Sequence, residues 1–321
     1  MQEMIKNVYG DTTAVEFKPE IPFDLGGDQP LDCISACHIT EPVSHWLYVT
    51  EGFKQFGFEL TFRLKSNDET APEWPISMLN GLATYVFTQE RHLTVGEMID
   101  FKRPLVNQPD CFLTTLMMTA EPKLKSADES VKILQIVPIT PDEAMAAKGW
   151  LTEKFLKLIE IQIKDGLTDL RRFSLLIQDN IANAIARGRD KDGSDTDSVP
   201  SSKIYFNISE PRKARVEFDA LAGFHLLSVM PGRIPHEKEL HIISPEHNIT
   251  FIPSDEGMVK GVNDTWVEVY MTPGMYREFY ENLEVKRKKF YLSGFDGIEF
   301  AVNDTYLRDH EGSISGVQQW R

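Results

Sequence analysis

The sequence predicts an α+β protein of two domains, each a mostly antiparallel or mixed sheet with packed helices. Three observations carry that prediction. At 321 residues the chain is too long for one ordinary core and fits two. Strand and helix patterns succeed one another without the regular βαβ alternation of a parallel sheet. Residues 56–65 (FGFELTFRLK) alternate without a break: Phe56, Phe58, Leu60, Phe62 and Leu64 share one face, and Gly57, Glu59, Thr61, Arg63 and Lys65 the other. Period-2 alternation of that length predicts a half-buried strand.

Ahead of that strand, Gly26, Gly27 and Pro30 turn the chain into a short strand over residues 31–35. Residues 45–50 (HWLYVT) form another, and Gly52 with its polar neighbours turns it back to pair with 56–65. A polar loop covers 66–72. Residues 74–90 predict a helix, because Ile76, Leu79, Leu82, Ala83, Val86 and Phe87 recur at three- and four-residue steps. Pro75 sits in its first turn, where a missing N–H is tolerated. Residues 131–139 (VKILQIVPI) are apolar enough for a strand buried on much of both faces.

Thr140-Pro141-Asp142-Glu143 is a capping box, starting a short helix that Gly149 ends. Residues 152–164 form an amphipathic helix capped by Thr152, 169–172 lead into an apolar segment at 173–177, and 181–186 look helical. Residues 188–202 (GRDKDGSDTDSVPSS) are rich in Asp and Ser and predict a flexible acidic loop. Order resumes at 204–208. The stretch 209–213 (SEPRK) reads as a junction, dividing the chain into domains 1–209 and 210–321. Beyond it, strands are expected at 214–218, 224–230, 240–243, 248–252 and 265–271, a helix at 275–283 announced by Thr272-Pro273, and short strands near 290–292 and 297–302.

The net charge of −15, from 34 basic and 49 acidic residues, disfavours direct nucleic-acid binding, which needs a basic surface. It suits a basic protein partner. No apolar run is long enough for a transmembrane helix, and the N-terminus lacks the pattern of a signal peptide. Three cysteines, Cys33, Cys37 and Cys111, argue for free thiols in a reducing, cytoplasmic setting. Cys33, Cys37 and His38 lack a second Cys/His pair to complete a zinc site, so they read as packing residues.

Catalytic signatures are weak. There is no phosphate-binding loop, nucleophile elbow or H-E-x-x-H motif. His236, His241 and His247, with Glu237, Glu239 and Glu246 nearby, are the best metal-like group and define the enzyme alternative, a metal-dependent hydrolase. Asp190, Asp192, Asp195 and Asp197 resemble a cation loop, but Gly193 and the missing closing Glu do not fit an EF-hand. Trp46, Tyr48, Phe53, Phe56, Trp74, Tyr85 and Phe87 concentrate aromatics in one stretch, mostly core, with Tyr85 able to line a recognition groove.

In the same order, residues 25–35 (LGGDQPLDCIS), 45–50, 56–65, 71–75 (APEWP), 81–87 (GLATYVF), 134–137 (LQIV) and 192–194 (DGS) resemble the Suppressor of fused family. The resemblance is fainter at 215–218 (RVEF), 232–233, 248–253 (NITFIP) and 266–271 (WVEVYM). It implies a non-enzymatic, cofactor-free protein-binding module with two α+β domains around a cleft. There a protein or extended peptide partner is taken as an added strand. Tyr85 matches a groove tyrosine of the family, and Glu97 stands where the family has an aspartate. The segment containing Leu227, Met230 and Arg233 matches a groove-lining stretch. The animal members' long insert between domains is missing, which resembles compact bacterial members thought to include toxin-immunity proteins. A basic toxin domain is then the expected partner. A transcription-factor tether of the animal kind is the other alternative.

Overall fold

The computed structural model describes residues 2–10, 12–210, 213–293, 295, 297–308 and 313–319. The chain forms two compact units: residues 1–144 with 153–178, and residues 145–152 with 179–321.

The first unit contains α1 (Gln2–Tyr9), β1 (Ala14–Phe17), β2 (Cys33–Ile39), β3 (His45–Glu51), β4 (Phe58–Lys65), α2 (Trp74–Gln89), β5 (Met98–Asp100), β6 (Thr115–Ala120), β7 (Lys132–Ile139), the first turn of α3 (Pro141–Gly149), whose remainder belongs to the second unit, and α4 (Thr152–Gln162). Its seven strands form one sheet in the order β1-β2-β3-β4-β7-β6-β5. β4 and β7 run parallel, with Phe62 opposite Ile136, and every other neighbouring pair is antiparallel. The apolar side of the alternation packs as expected: Leu60, Phe62, Leu64, Trp46 and Tyr48 meet Leu79, Leu82, Ala83 and Val86 of α2 in one core.

The expected half-burial of the signature strand is corrected. β4 starts at Phe58, after a single turn of 3-10 helix that Gly57 closes at φ +77, a conformation glycine adopts freely. Its polar side is also buried, because α1 and the segment around Leu124 cover that face with Ile5 against Cys37, Ile39, Leu47 and Val49. Glu59, Thr61 and Arg63 are therefore interior and must be hydrogen-bonded.

Half of the capping box forms: Glu143 Oε2 accepts from the Thr140 N–H at 2.9 Å, while the Thr140 hydroxyl donates to Asp142 Oδ1. The Glu143 carboxylate takes both Arg172 terminal nitrogens at 2.6 Å and the Leu175 N–H at 2.7 Å, so a helix cap also fastens the 172–175 segment.

The second unit contains α5 (Asp179–Asp192), β8 (Ser198–Pro200), β9 (Tyr205–Glu210), β10 (Lys213–Asp219), α6 (Ala220–Val229), β11 (Leu240–Ile243), β12 (Asn248–Pro253), β13 (Met258–Asn263), β14 (Trp266–Met271), α7 (Pro273–Asn282), β15 (Lys288–Tyr291), β16 (Ile298–Asn303), β17 (Tyr306–Arg308) and β18 (Ile314–Val317). They form mixed sheets in the orders β13-β14-β12-β11-β8 and β15-β16-β10-β9, with β17 and β18 as a separate hairpin. Phe279 of α7 joins the two larger sheets: its ring lies 5.2 Å from Phe251 on β12, 5.5 Å from Phe290 on β15 and 5.0 Å from Phe300 on β16.

Three expectations change here. The 224–230 strand is the end of α6, whose first turn is capped by Asp219 accepting from the Ala222 N–H. The junction at 209–213 falls between the paired strands β9 and β10, with Pro211 and Arg212 outside the described residues, and the second unit begins well before residue 210. The 188–202 loop is ordered. α5 runs through Asp192, and fully buried Ser194 donates to the Lys148 carbonyl at 2.6 Å while its N–H donates to the Gly232 carbonyl at 2.7 Å. The acidic residues are used locally, Asp192 accepting from Trp150 Nε1 and Asp195 from both the N–H and hydroxyl of Thr152.

Candidate functional site

The first unit's sheet ends at β5, three residues long. The Glu97 carbonyl accepts from Met118 N at 2.9 Å, and Phe101 N donates to the Thr114 carbonyl at 3.0 Å. Antiparallel alternation then turns residues 97, 99 and 101 toward β6, and the main-chain groups of Met98 and Asp100 toward the free side. An open edge of this kind is a template for an added strand.

Glu97 immediately precedes that edge strand. Tyr85 lies near the C-terminus of α2 and is 40% exposed. α2 stops at Glu90, which adopts the left-handed conformation (φ 49) without being glycine, and sends Arg91 back over the turn. The Arg91 guanidinium pairs with Glu97 Oε1, and the Thr94 N–H donates to Glu97 Oε2 at 3.2 Å. The hydrogen bond and charge of Glu97, with a smaller contribution from Tyr85, lift the Arg91 pKa further above its already high value. The two expected residues thus share one neighbourhood through Arg91. Sequence reasoning passed over Arg91, and its only signal was a cation six residues before Glu97 in a turn.

The expected residues of the second unit have other work. Met230 is wholly enclosed in that unit's core, a correction to its expected contact role, since a side chain with no exposed surface offers a partner nothing to touch. Leu227 is half-buried against the same core, and its carbonyl accepts from Tyr280 Oη at 2.8 Å. Arg233 donates through Nη1 to the Ser194 carbonyl at 3.1 Å and through Nε and Nη2 to the Glu239 carbonyl at 3.0 and 2.7 Å. It braces the DGS turn.

The three histidines do not converge. His241 Nδ1 lies 2.9 Å from Thr250 Oγ1, His247 sets its ring at 88° to that of Phe206, and His236 sits against Gly193. Among the described residues no group of three or more His, Cys, Asp or Glu is placed to hold a metal ion, and no helix is long and apolar enough to cross a membrane. Cys33, Cys37 and Cys111 are buried and unpaired, and burial pushes the Cys37 thiol up to about 11.

Two α+β units, the first an open-edged mixed sheet covered by helices on both faces, set the class of fold. The model of the family described as Suppressor of fused protein (SUFU) matches residues 27–173, so that part of the chain is similar to the Suppressor of fused family. The human Suppressor of fused homolog is 28% identical over 225 residues, 60% of this chain and 46% of that protein, so the chain aligns with about half the length of this relative. Among solved structures, Drosophila Suppressor of Fused has a similar fold, with a TM-score of 0.75 at 17% identity over 94% of this chain and 95% of that one. A chain of the Sufu–Fu complex is similar over 58% of this chain and 93% of its own, at 23% identity and a TM-score of 0.51.

Proposed function

We propose that this protein is a non-enzymatic binding module that takes an extended segment of a protein partner as an added strand on β5. Main-chain pairing along Met98 and Asp100 supplies affinity, and Tyr85 and Glu97 read the side chains beside it. The observation that carries the reading is the open edge of β5 with Glu97 and its partner Arg91 at its start. The likeness to a chain from the Sufu–Fu complex supports a protein as the partner.

The partner is a basic protein that the module sequesters in the cytoplasm, a toxin domain neutralised by its immunity protein being the specific form. The net charge of −15 supports this choice, since complementary charge raises association rates and rejects wrong partners. Capture from the native host lysate, with wild type beside the Tyr85→Ala/Glu97→Gln variant, tests it. One basic protein at 1:1 stoichiometry on the wild type, reduced at least tenfold on the variant, is the expected result. Equal capture by both would remove the β5 site from the reading.

A further inference from the structure

The first unit carries a second surface that strand addition at β5 does not use. Residues 162–178 run back along β4, with the Thr168 N–H donating to the Arg63 carbonyl and the Lys65 N–H to the Thr168 carbonyl, each at 2.9 Å. That segment, with Val43 and Lys65 opposite, walls a cavity of about 580 Å³.

Its lining is unusual for a solvent-facing hollow. Val43, Phe173 and Ile177 are 43%, 67% and 68% exposed, and Phe173 stacks on Phe112, itself 47% exposed, at 6.2 Å between ring centroids. A cluster of large apolar side chains left in water around a hollow marks an interaction site. The charge runs against the rest of the molecule. Lys65, Lys164 and Arg172 line the cavity against one carboxylate, Asp169, on a protein of net charge −15. Asp169 holds Lys65 at 2.7 Å and Glu143 holds Arg172 at 2.6 Å. Lys164 has no ion-pair partner among the described residues, so it is the cation available to a ligand.

We propose that this cavity docks a segment of a partner protein carrying apolar side chains next to a carboxylate. The apolar side chains enter between Phe173 and Ile177, displacing water from surfaces that are now exposed. The carboxylate meets Lys164 at the rim, giving an attraction that salt weakens. The preferred partner segment is therefore acidic, whereas the whole-protein field favours basic ones. The cavity's selectivity comes from its own rim.

The test uses fluorescence anisotropy with the full chain and three labelled peptides of one length. One alternates Phe or Leu with Glu, the second has Lys for Glu, and the third has Ser for the apolar residues. The first is expected to bind, the second at least fivefold more weakly and the third not at all. Phe173→Ser and Ile177→Ser should each weaken the first peptide at least tenfold while leaving circular dichroism and melting unchanged, because both side chains are exposed. Lys164→Glu should invert the order of the first two peptides. Equal binding of the acidic and lysine peptides, no binding of the acidic peptide, or affinity unmoved by Phe173→Ser would overturn the proposal. So would a wild-type dimer in sedimentation that Phe173→Ser dissolves, since the occupant would then be a second copy. Tyr85 and Glu97 are intact in these variants, so failure here leaves the reading of β5 standing.

Discussion

Arg63 and Glu121 form a doubly hydrogen-bonded ion pair with both side chains 1% exposed. Arg63 Nη1 donates to Glu121 Oε2 at 2.8 Å and Nη2 to Oε1 at 2.5 Å, while Thr61 Oγ1 also donates to Oε2 and Arg63 Nη2 reaches Tyr9 Oη at 3.2 Å. Burial pushes the Glu121 carboxyl up, but the guanidinium and the Thr61 hydroxyl outweigh it and hold the group below the usual range. A strand that reads as half-exposed in sequence thus fastens α1 to the sheet from inside.

Removing one partner strands the other charge in the interior. Glu121→Leu or Arg63→Met alone should cost about 3–5 kcal/mol in urea denaturation, and the double variant markedly less than the sum. Additive losses would show that the pair is not coupled.

Glu59 makes stability depend on pH. Its Oε2 accepts from Thr50 Oγ1 at 2.7 Å, and its Oε1 from the Gly52 and Phe53 N–H groups at 2.9 and 3.0 Å. Burial nevertheless pushes the carboxyl from 4.5 up to about 7, against those three hydrogen bonds. Between these values the folded chain keeps a proton that the unfolded chain has released. The contribution is therefore fully present below about 4.5 and is lost as pH rises to about 7. At roughly 1.4 kcal/mol per pKa unit the window is worth on the order of 3 kcal/mol. Glu59→Gln should gain on wild type as pH rises from 4.5 to 7, as read from paired denaturation curves. A constant difference across that range would contradict the assignment.

Much of the first unit could be read from residues alone, because its central elements have strong periods. Phe58 to Leu64 alternate, α2 repeats at three and four, and Thr140 with Glu143 announces α3. The failures have local causes. Residues 220–229 (ALAGFHLLSV) are apolar all round, so periodicity cannot tell a buried helix from a strand, and the capping Asp219 was the signal to weigh. Composition alone makes the acidic stretch look flexible, yet its Asp and Ser side chains bond to groups distant in sequence: Ser194 to Lys148, Asp192 to Trp150. At the candidate site Tyr85 and Glu97 came from resemblance, while Arg91 depends on a helix that ends without glycine at Glu90.

Asp219 is a hub that no counter-charge balances among its described contacts. It accepts from Ser201 Oγ at 2.8 Å, Thr305 Oγ1 at 2.9 Å, the Ser202 N–H at 3.2 Å, the Ser202 hydroxyl and the Ala222 N–H at 3.3 Å. Asp219→Ala loses the α6 cap and leaves buried donors unmet, costing roughly 2–4 kcal/mol. Hydrogen exchange should show early opening around α6 and residues 200–202. Unchanged protection there would argue that water replaces the carboxylate.

Gly193 is fixed by both conformation and space. Its φ is +77, and a Cβ there would stand 2.8 Å from the Gly232 carbonyl oxygen. Gly193→Ala should destabilise the second unit by about 2 kcal/mol or more. Because Arg233 and Lys238 both donate to the Ser194 carbonyl, residues 230–239 should lose exchange protection together with residues 192–196. A thermal melt matching wild type would refute the close packing.

The interleaving of the two units along the chain bears on how the protein is made. Residues 145–152 belong to the second unit yet leave the ribosome before 153–178, which complete the first. The first unit can close around its sheet while that eight-residue strip waits, unsatisfied, for Ser194, Ser228 and Gly232 to be synthesised. A fragment cut after residue 178 would keep the strip and lose everything that receives it, so no single cut yields two whole halves.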